Sequence, residues 1–300
     1  MNFIWLEDFL ALAASGNFSR AAEERYSSQP AFSRRIRALE EWVGTDLVDR
    51  STQPARLTKA GEWFRGVAEN LVAQIARLPG EAKQVAETNS VTLRIASTHA
   101  LSFVFLPRWL RNLESAIAIE RVELMSDVLS RCEVLMQQGK VHFVLSHSHP
   151  KAPNSLDTEQ YAGLCIGADE LIPVSQAVSK GLPLHALAGN KKKPVPILGY
   201  TEESGLGRIF DALMGKRLKS VPTQVVFKAH LASVLRTMAL DGRGIAWLPR
   251  TLVDEDISAG RLELASDDNW NVPLEIRLYR EQTMTGQAPL ALWKAASAGK

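Results

Sequence analysis

Between Ser27 and Gly44 the chain reads SSQPAFSRRIRALEEWVG, with Arg34, Arg35 and Arg37 inside four consecutive positions. A guanidinium is a permanent cation with a rigid fork of donors, suited to phosphate oxygens and to the acceptor edge of guanine. At 100° per residue, Ile36, Leu39 and Val43 fall within about 40° of Phe32 and define an apolar inner face. Pro30, Ser33, Arg34 and Arg37 fall roughly 100–200° away on the outer face, and Arg35 flanks the core. That outer face is small, hydroxylated and cationic where the helix begins, and Glu40 and Glu41 reverse the sign toward its end. A helix that enters a nucleic-acid groove by its N-terminal half wants this gradient: polar groups meet base edges, Arg and Ser hold phosphates, and acids stay away from the backbone. The same pattern also describes a solvated surface helix with an Arg37–Glu41 pair at i,i+4. Taken alone, the helix leaves both readings open.

The elements that must position it narrow the choice. WLEDFLALAAS places Trp5, Leu6, Phe9, Leu10 and Ala13 on one helical face. GNF interrupts it, Asn17 or Ser19 caps a second helix, and Ala21-Ala22 allow close helix approach. Ser28 caps the arginine helix, Pro30 lies in its first turn, and Gly44 ends it. TDLVDRSTQPARLT then reads as a small hairpin whose Arg50, Arg56 and Lys59 suit a flanking phosphate backbone. From Thr58, Ala60, Phe64, Val67, Leu71, Ile75 and Leu78 form a coiled-coil type seam that needs a partner helix. Pro79-Gly80 and EAKQVAETNS read as a linker. Helix, turn and cationic helix is the helix-turn-helix order, and a pairing helix joins two such modules for two half-sites.

Residues 3–61 resemble the winged helix-turn-helix of LysR-type transcriptional regulators, through Phe9, Gly16, Phe18, Ser19, Ala21, Ala22, Ser28, Gln29, Pro30, Ser33, Ile36, Leu39, Glu40, Gly44, Arg50, Leu57, Thr58 and Gly61. SQPAFSRRIRALE is the most specific string, and LDGRGIAWLP (240–249) resembles that family's effector domain. The style of these strings is nearest to the family's hypochlorite-responsive regulators. Two departures are read as tolerated by the fold: Tyr26 for the usual leucine before SQPA, and Val48 for the usual phenylalanine. The resemblance implies an α+β multidomain protein with a winged helix-turn-helix at 1–58, a dimerisation helix and hinge at 59–90, and a two-lobed, periplasmic-binding-protein-like effector domain at 91–300. The lobes would be 91–165 with 270–300, and 166–269. It implies DNA contacts from Ser28, Gln29, Pro30, Ser33, Arg34, Arg37, Arg50 and Arg56. Its partners would be double-stranded operator DNA, a small-molecule effector, further copies of the chain as a dimer or dimer of dimers, and RNA polymerase.

Residues 91–300 alternate strand-like and helix-like segments, which argues for α/β architecture with mainly parallel sheets and a cleft between two subdomains. Expected strands are VTLRIAS, ERVELM, HFVLS, LIPVS, VPILGY, TQVVFK, GIAWLP and LEIRLYR. Ligands in such sheets bind beyond the strand ends, where helix N-termini point at them. The polar strand ends supply Ser97, Thr98, His99 and Ser102; Ser146 and His147 with His149; Tyr200, Thr201 and Ser204; and His230. Together they suit a carboxylate or other small anion. For each Ser or Thr alone, simple helix capping is the competing role.

His142, His147 and His149 lack Cys or acidic neighbours in sequence, so no metal and no cofactor is expected. Cys132 and Cys165 read as buried thiols in a reducing cytoplasm. Oxidant sensing is the alternative reading; it would need reactive thioethers or thiols, and Met125, Met136, Met214, Met238 and Met284 fall mostly at apolar positions, while Leu206 and Leu231 at the cleft carry no sulfur. An α/β enzyme is disfavoured, because no G-x-G-x-x-G, Walker A or G-x-S-x-G string follows a strand. The net charge of +2 says little, since residues 1–90 hold 11 Lys/Arg against 12 Asp/Glu. No 18-residue uncharged apolar run spans a membrane, and Glu7 and Asp8 break the N-terminal apolar run, so neither a transmembrane helix nor a secretory signal is expected.

Overall fold

The computed structural model describes residues 2–52, 54–86, 92–113, 121–187 and 193–298. The end of the expected linker and residues 190–192 of the string NKKKP (190–194), which reads as a solvated basic loop, lie outside them. The chain divides into two compact units, Met1–Glu81 and Ala82–Lys300.

In the first unit, α1 (Phe3–Ser15), α2 (Phe18–Glu24) and α3 (Gln29–Val43) precede a hairpin of β1 (Val48–Asp49) and β2 (Arg56–Leu57), and α4 (Lys59–Ala86) follows. Phe9, Phe32, Ile36 and Leu39 form one buried core with Ala21 and Ala22. Asn17 caps α2 by accepting from the amides of Ser19 (2.9 Å) and Arg20 (3.1 Å). Gly44 ends α3 at φ +84°, a left-handed cap that costs glycine little. A Cβ at Gly61 would sit 2.0 Å from the Leu47 carbonyl oxygen, so only glycine lets α4 start this close to the wing.

Five expectations for this unit need correction. Ser28 is the N-cap residue of α3 by position, but its hydroxyl caps nothing and stays exposed. Tyr26 does not replace an apolar leucine: it is 100% exposed at φ +51° in the tight turn, and Arg25 beside it turns toward α1. Glu40 leaves the outer face altogether. It is buried and accepts from the amides of Leu47 (3.0 Å) and Val48 (3.1 Å) and from Arg50, clipping α3 to the wing. Finally, half of the supposed dimer seam is used inside the module. Phe64 is buried in the core and meets Phe9 at 5.4 Å, with Ala60, Val67 and Leu71 packed beside it. Ile75 and Leu78 stay exposed, together with Trp63. Pro79 does not start a linker either, because α4 runs through it to Ala86; a proline there removes one helical hydrogen bond without ending the helix.

The second unit begins with β3 (Thr92–Thr98), α5 (His99–Phe103), α6 (Phe105–Leu113), β4 (Arg121–Asp127), α7 (Leu129–Gln137) and β5 (Phe143–Ser148). Then come β6 (Tyr161–Ser179), β7 (Leu182–Pro183), β8 (Val195–Tyr200), α8 (Gly205–Leu218), β9 (Thr223–Ala229) and α9 (Ala232–Leu240). It closes with β10 (Ile245–Pro249), α10 (Arg250–Ser258), β11 (Leu262–Leu264), β12 (Val272–Glu281) and α11 (Gln287–Ala298). The main sheet order is β4-β3-β5-β12-β6-β10-β8-β9. Both ends are parallel, as expected of alternating strands and helices, but the middle is antiparallel. The cause is β6, a 19-residue strand of which only the LIPVS portion was expected. It pairs with β12 along its first half and with β10 farther on, and so carries the chain from one lobe to the other without a helical crossover. One lobe packs Leu93, Ile95, Phe143 and Leu145 against α6 and α11; the other packs Ile197, Leu198, Ile245 and Trp247 against α8 and α9.

Candidate functional site

The three arginines of α3 separate by depth. Arg34 and Arg37 are exposed and form no ion pair among the described residues, so the Arg37–Glu41 pair is not made. Arg35 turns inward and donates to the fully buried carboxylate of Asp8, which also accepts from Arg25 at 3.2 Å. Its charge therefore ties α3 to α1, and Arg25 ties the turn to the same point.

Of the other residues expected to contact nucleic acid, Ser28, Gln29, Pro30 and Arg56 are exposed. Gln29 and Ser33 line a recess of about 550 Å³ with Asn17, Ser19, Arg50 and Thr52, between the starts of α2 and α3 and the wing. Arg50 sits at its rim but is paired to Glu40, with its guanidinium 5.7 Å from the centre of the Phe18 ring. Arg56 faces Asp49 across the wing. The Asp49 carboxyl is held below the ordinary carboxylate value by the Ser51 hydroxyl and amide, with a smaller contribution from Arg56.

In the second unit a cavity of about 40 Å³ is lined by Thr98, His99, Asp127, His147, Ser204 and His230, with apolar walls from Ala100, Val128, Leu129, Leu206, Leu231 and Ala232. Helices α7, α8 and α9 all begin here. Ser204 caps α8, accepting from the Gly207 amide at 3.3 Å. Val128 and Leu231 occupy the cap positions of α7 and α9 and make no side-chain cap. First-turn amides without side-chain caps, with the positive dipole ends behind them, form an anion-binding surface.

The expected effector residues do not all reach this cavity. Ser97 and Ser102 are buried and donate to the Thr98 carbonyl at 3.2 and 3.1 Å, which closes the local turn. Tyr200 donates to the Trp247 carbonyl at 2.8 Å and joins β8 to β10. Ser146 and Thr201 do not line the cavity either. Their hydroxyls, like that of Thr98, are buried without a hydrogen-bond partner among the described residues. His99 Nδ1 lies 2.9 Å from the Ser126 hydroxyl. Burial lowers the His99 pKa and the neighbouring His230 lowers it further, with Asp127 opposing both.

His147 is 4% exposed, and its Nε2 lies 2.9 Å from Asp169 Oδ2. Burial disfavours the charged form of Asp169, but hydrogen bonds from His147, the Thr251 hydroxyl (2.6 Å) and the Glu170 amide (2.8 Å) outweigh it, and the carboxyl lies below its ordinary pKa. The Thr251 amide donates to the same carboxylate at 3.2 Å. Asp169 thus joins His147 on β5 to the first turn of α10 in the other lobe.

Sequence reasoning missed Asp127, because the expected strand stopped at Met125 whereas β4 continues to Asp127. It also missed Asp169, which has no local signal in IGADELIPV. No group of three or more metal-ligating side chains occurs among the described residues. Cys132 is fully buried, and burial pushes its thiol up to about 12. Met136 and Met284 are buried, and none of the described residues lining the cavity carries sulfur.

Residues 3–62 match the family described as bacterial regulatory helix-turn-helix protein, lysR family, and residues 86–298 match the LysR substrate binding domain. The chain belongs to the LysR family of transcriptional regulators. It is 29% identical over 292 residues to the HTH-type transcriptional regulator YjiE of Escherichia coli, covering 97% of this chain and 92% of that one. The full-length hypochlorite-specific regulator HypT of Salmonella typhimurium is similar in structure, with TM-score 0.60, 27% identity and coverage of 99% and 98%. Vibrio fischeri DarR, solved with DNA, is also similar, with TM-score 0.59, 28% identity and coverage of 99% and 98%. This LysR regulator is a DNA-binding transcriptional regulator with an effector-binding domain, and not an enzyme. No helix among its described residues is long and apolar enough to cross a membrane.

Proposed function

We propose that the effector of this regulator is a small anion held in the 40 Å³ cavity between the lobes, and that its binding biases which operator half-sites are occupied. The reading rests on the cavity itself: two helices with apolar cap residues, α7 and α9, begin there beside the buried and unsatisfied hydroxyl of Thr98. One water needs roughly 10–15 Å³ by the same measure, so the closed cavity takes an anion of a few heavy atoms, and larger effectors need the lobes to part. A ligand that binds one lobe angle better shifts the population toward it, by no more than its differential affinity.

The DNA side of the proposal places Ser28, Gln29, Pro30, Ser33 and Arg34 at the groove, with Arg37 and Arg56 at phosphates and Arg50 as a wing anchor at the margin. Two copies pair through α4, where Trp63, Ile75 and Leu78 are exposed. Dimers pair through their effector domains, whose edge strands β4 and β9 expose Leu124, Val225 and Val226. The working location is the cytoplasm, in keeping with two free thiols.

A thermal-shift titration of the full chain with formate, acetate and larger carboxylates tests the cleft. A bound anion should raise the melting temperature by mass action, and Thr98→Val should abolish that shift while leaving basal DNA binding intact. A Thr98→Val protein that responds as the parent does would show that the pocket lies elsewhere.

A further inference from the structure

His147 poses a problem that the cavity alone does not explain. The ring lines the cavity and is almost wholly buried, yet only one of its nitrogens is engaged. Nε2 meets Asp169, while Nδ1 is buried with no hydrogen-bond partner among the described residues. An unsatisfied buried nitrogen is costly, and such atoms call for a functional explanation.

The partner at Nε2 decides what Nδ1 can do. The Asp169 carboxylate already accepts from the Thr251 hydroxyl and amide and from the Glu170 amide, so it acts as an acceptor only. Nε2 must therefore carry the ring hydrogen. A neutral His147 then presents a lone pair at Nδ1, and a lone pair repels an anion. An anion at this end of the ring becomes favourable only when Nδ1 also carries a proton. The imidazolium would then lie between the Asp169 carboxylate and the ligand, with a charge-assisted hydrogen bond on each side.

We propose that the cavity binds its anion together with one proton, which adds to Nδ1 of His147 and is shared with the ligand. The inference rests on the cleft reading above and adds its chemistry. The step is a simple proton uptake: a solvent proton forms the N–H bond at Nδ1, no bond of the anion breaks, and no electron is transferred. The incoming negative charge is thereby matched by one positive charge inside an apolar-walled space, where an unmatched charge is expensive. The other charged groups around this position come from several elements. His99 and His230 share the cavity, Asp127 accepts from the Val128 amide at 2.7 Å, and Arg250 is turned to Glu170 at 2.9 Å. Glu133 on α7 and Arg208 on α8 lie 3.8 Å apart. None of these forms a hydrogen bond to Nδ1. His99 also lines the cavity and has a depressed pKa, and the experiment separates it from His147.

The test is calorimetric titration of the full chain with formate and with nitrate near pH 7.5, in two buffers of different ionisation enthalpy neutralised by bulky counter-ions. The difference in heat between the buffers reports proton uptake without any mutation. The expected result is about one proton per bound anion, and a Kd that rises about tenfold from pH 7 to pH 8. His147→Gln should remove the uptake and flatten the pH dependence, whereas His99→Gln should retain both. Saturable binding of either anion with no proton uptake would overturn this inference while leaving the cleft reading standing. Uptake that persists unchanged in His147→Gln would overturn it as well. Failure of both anions to bind the parent protein would instead overturn the cleft reading on which the inference rests.

Discussion

Helix α3 and the second unit both hold polar groups without a partner among the described residues, but under opposite conditions. Arg34 and Arg37 stand in water, which satisfies their donors at no structural cost. The Thr98 and Ser146 hydroxyls and His147 Nδ1 are shut away from solvent, so their lack of partners carries a free-energy penalty. An exposed unpaired group is a surface prepared for a large ligand, and losing it should leave the fold untouched. A buried unpaired group strains the empty state, and removing it should help the fold and harm only binding. Between these extremes stand charges such as Arg35, whose neighbour Arg34 differs only in the side of the helix it occupies.

The largest expected effect tests that intermediate class. Asp8→Ala strips Arg35 of its ion-pair partner and leaves Arg25 paired to Glu7 alone, and chemical denaturation should show a loss of about 3 kcal/mol. Arg34→Ala should leave stability within about 0.5 kcal/mol of the parent. It should weaken binding to a selected operator by about 2 kcal/mol, read by fluorescence anisotropy. Comparable losses of stability in the two variants would erase the distinction.

Asp169→Asn probes the lobe connection with a signed pH dependence. The folded carboxyl has a lowered pKa, so its contribution is fully present above the unfolded value of about 3.9 and is lost as pH falls through the folded value. The variant should be less stable at pH 7 by about 2 kcal/mol, and its stability should converge on the parent's only as pH falls below the unfolded value and through the lowered folded one. Ser146→Ala is expected to go the other way, raising stability by about 1 kcal/mol because an unsatisfied buried hydroxyl is removed. A destabilised Ser146→Ala would mean that this hydroxyl is satisfied in solution. Smallest of all, Arg56→Ala should weaken DNA binding about equally across sequences and lower the salt slope by about 1.

Much of the first unit was legible from local pattern. Periodicity put Phe32, Ile36 and Leu39 inward and Arg34 and Arg37 outward, and Asn17 and Gly44 marked helix ends, because these are properties of a few adjacent residues. Glu40 was misread for the same reason. At about 80° from Phe32 it is neither clearly inside nor outside, and only the folded wing brings the Leu47 and Val48 amides to it. Phe64, Val67 and Leu71 showed an apolar stripe without showing what covers it.

In the second unit, half of the residues expected from strand ends reach the cavity: Thr98, His99, His147, Ser204 and His230 line it, whereas Ser97, Ser102 and Tyr200 are consumed by their own backbone surroundings. The sequence by itself determined element types, the faces of the helices and the family, because these follow from residue spacing and from a contiguous motif. The tertiary structure alone decided which polar groups are satisfied. Asp8 meets Arg35 across 27 positions and His147 meets Asp169 across 22. Whether a hydrogen bond is closed in this way, or left open for a ligand, depends on distances that residue spacing along the chain does not encode.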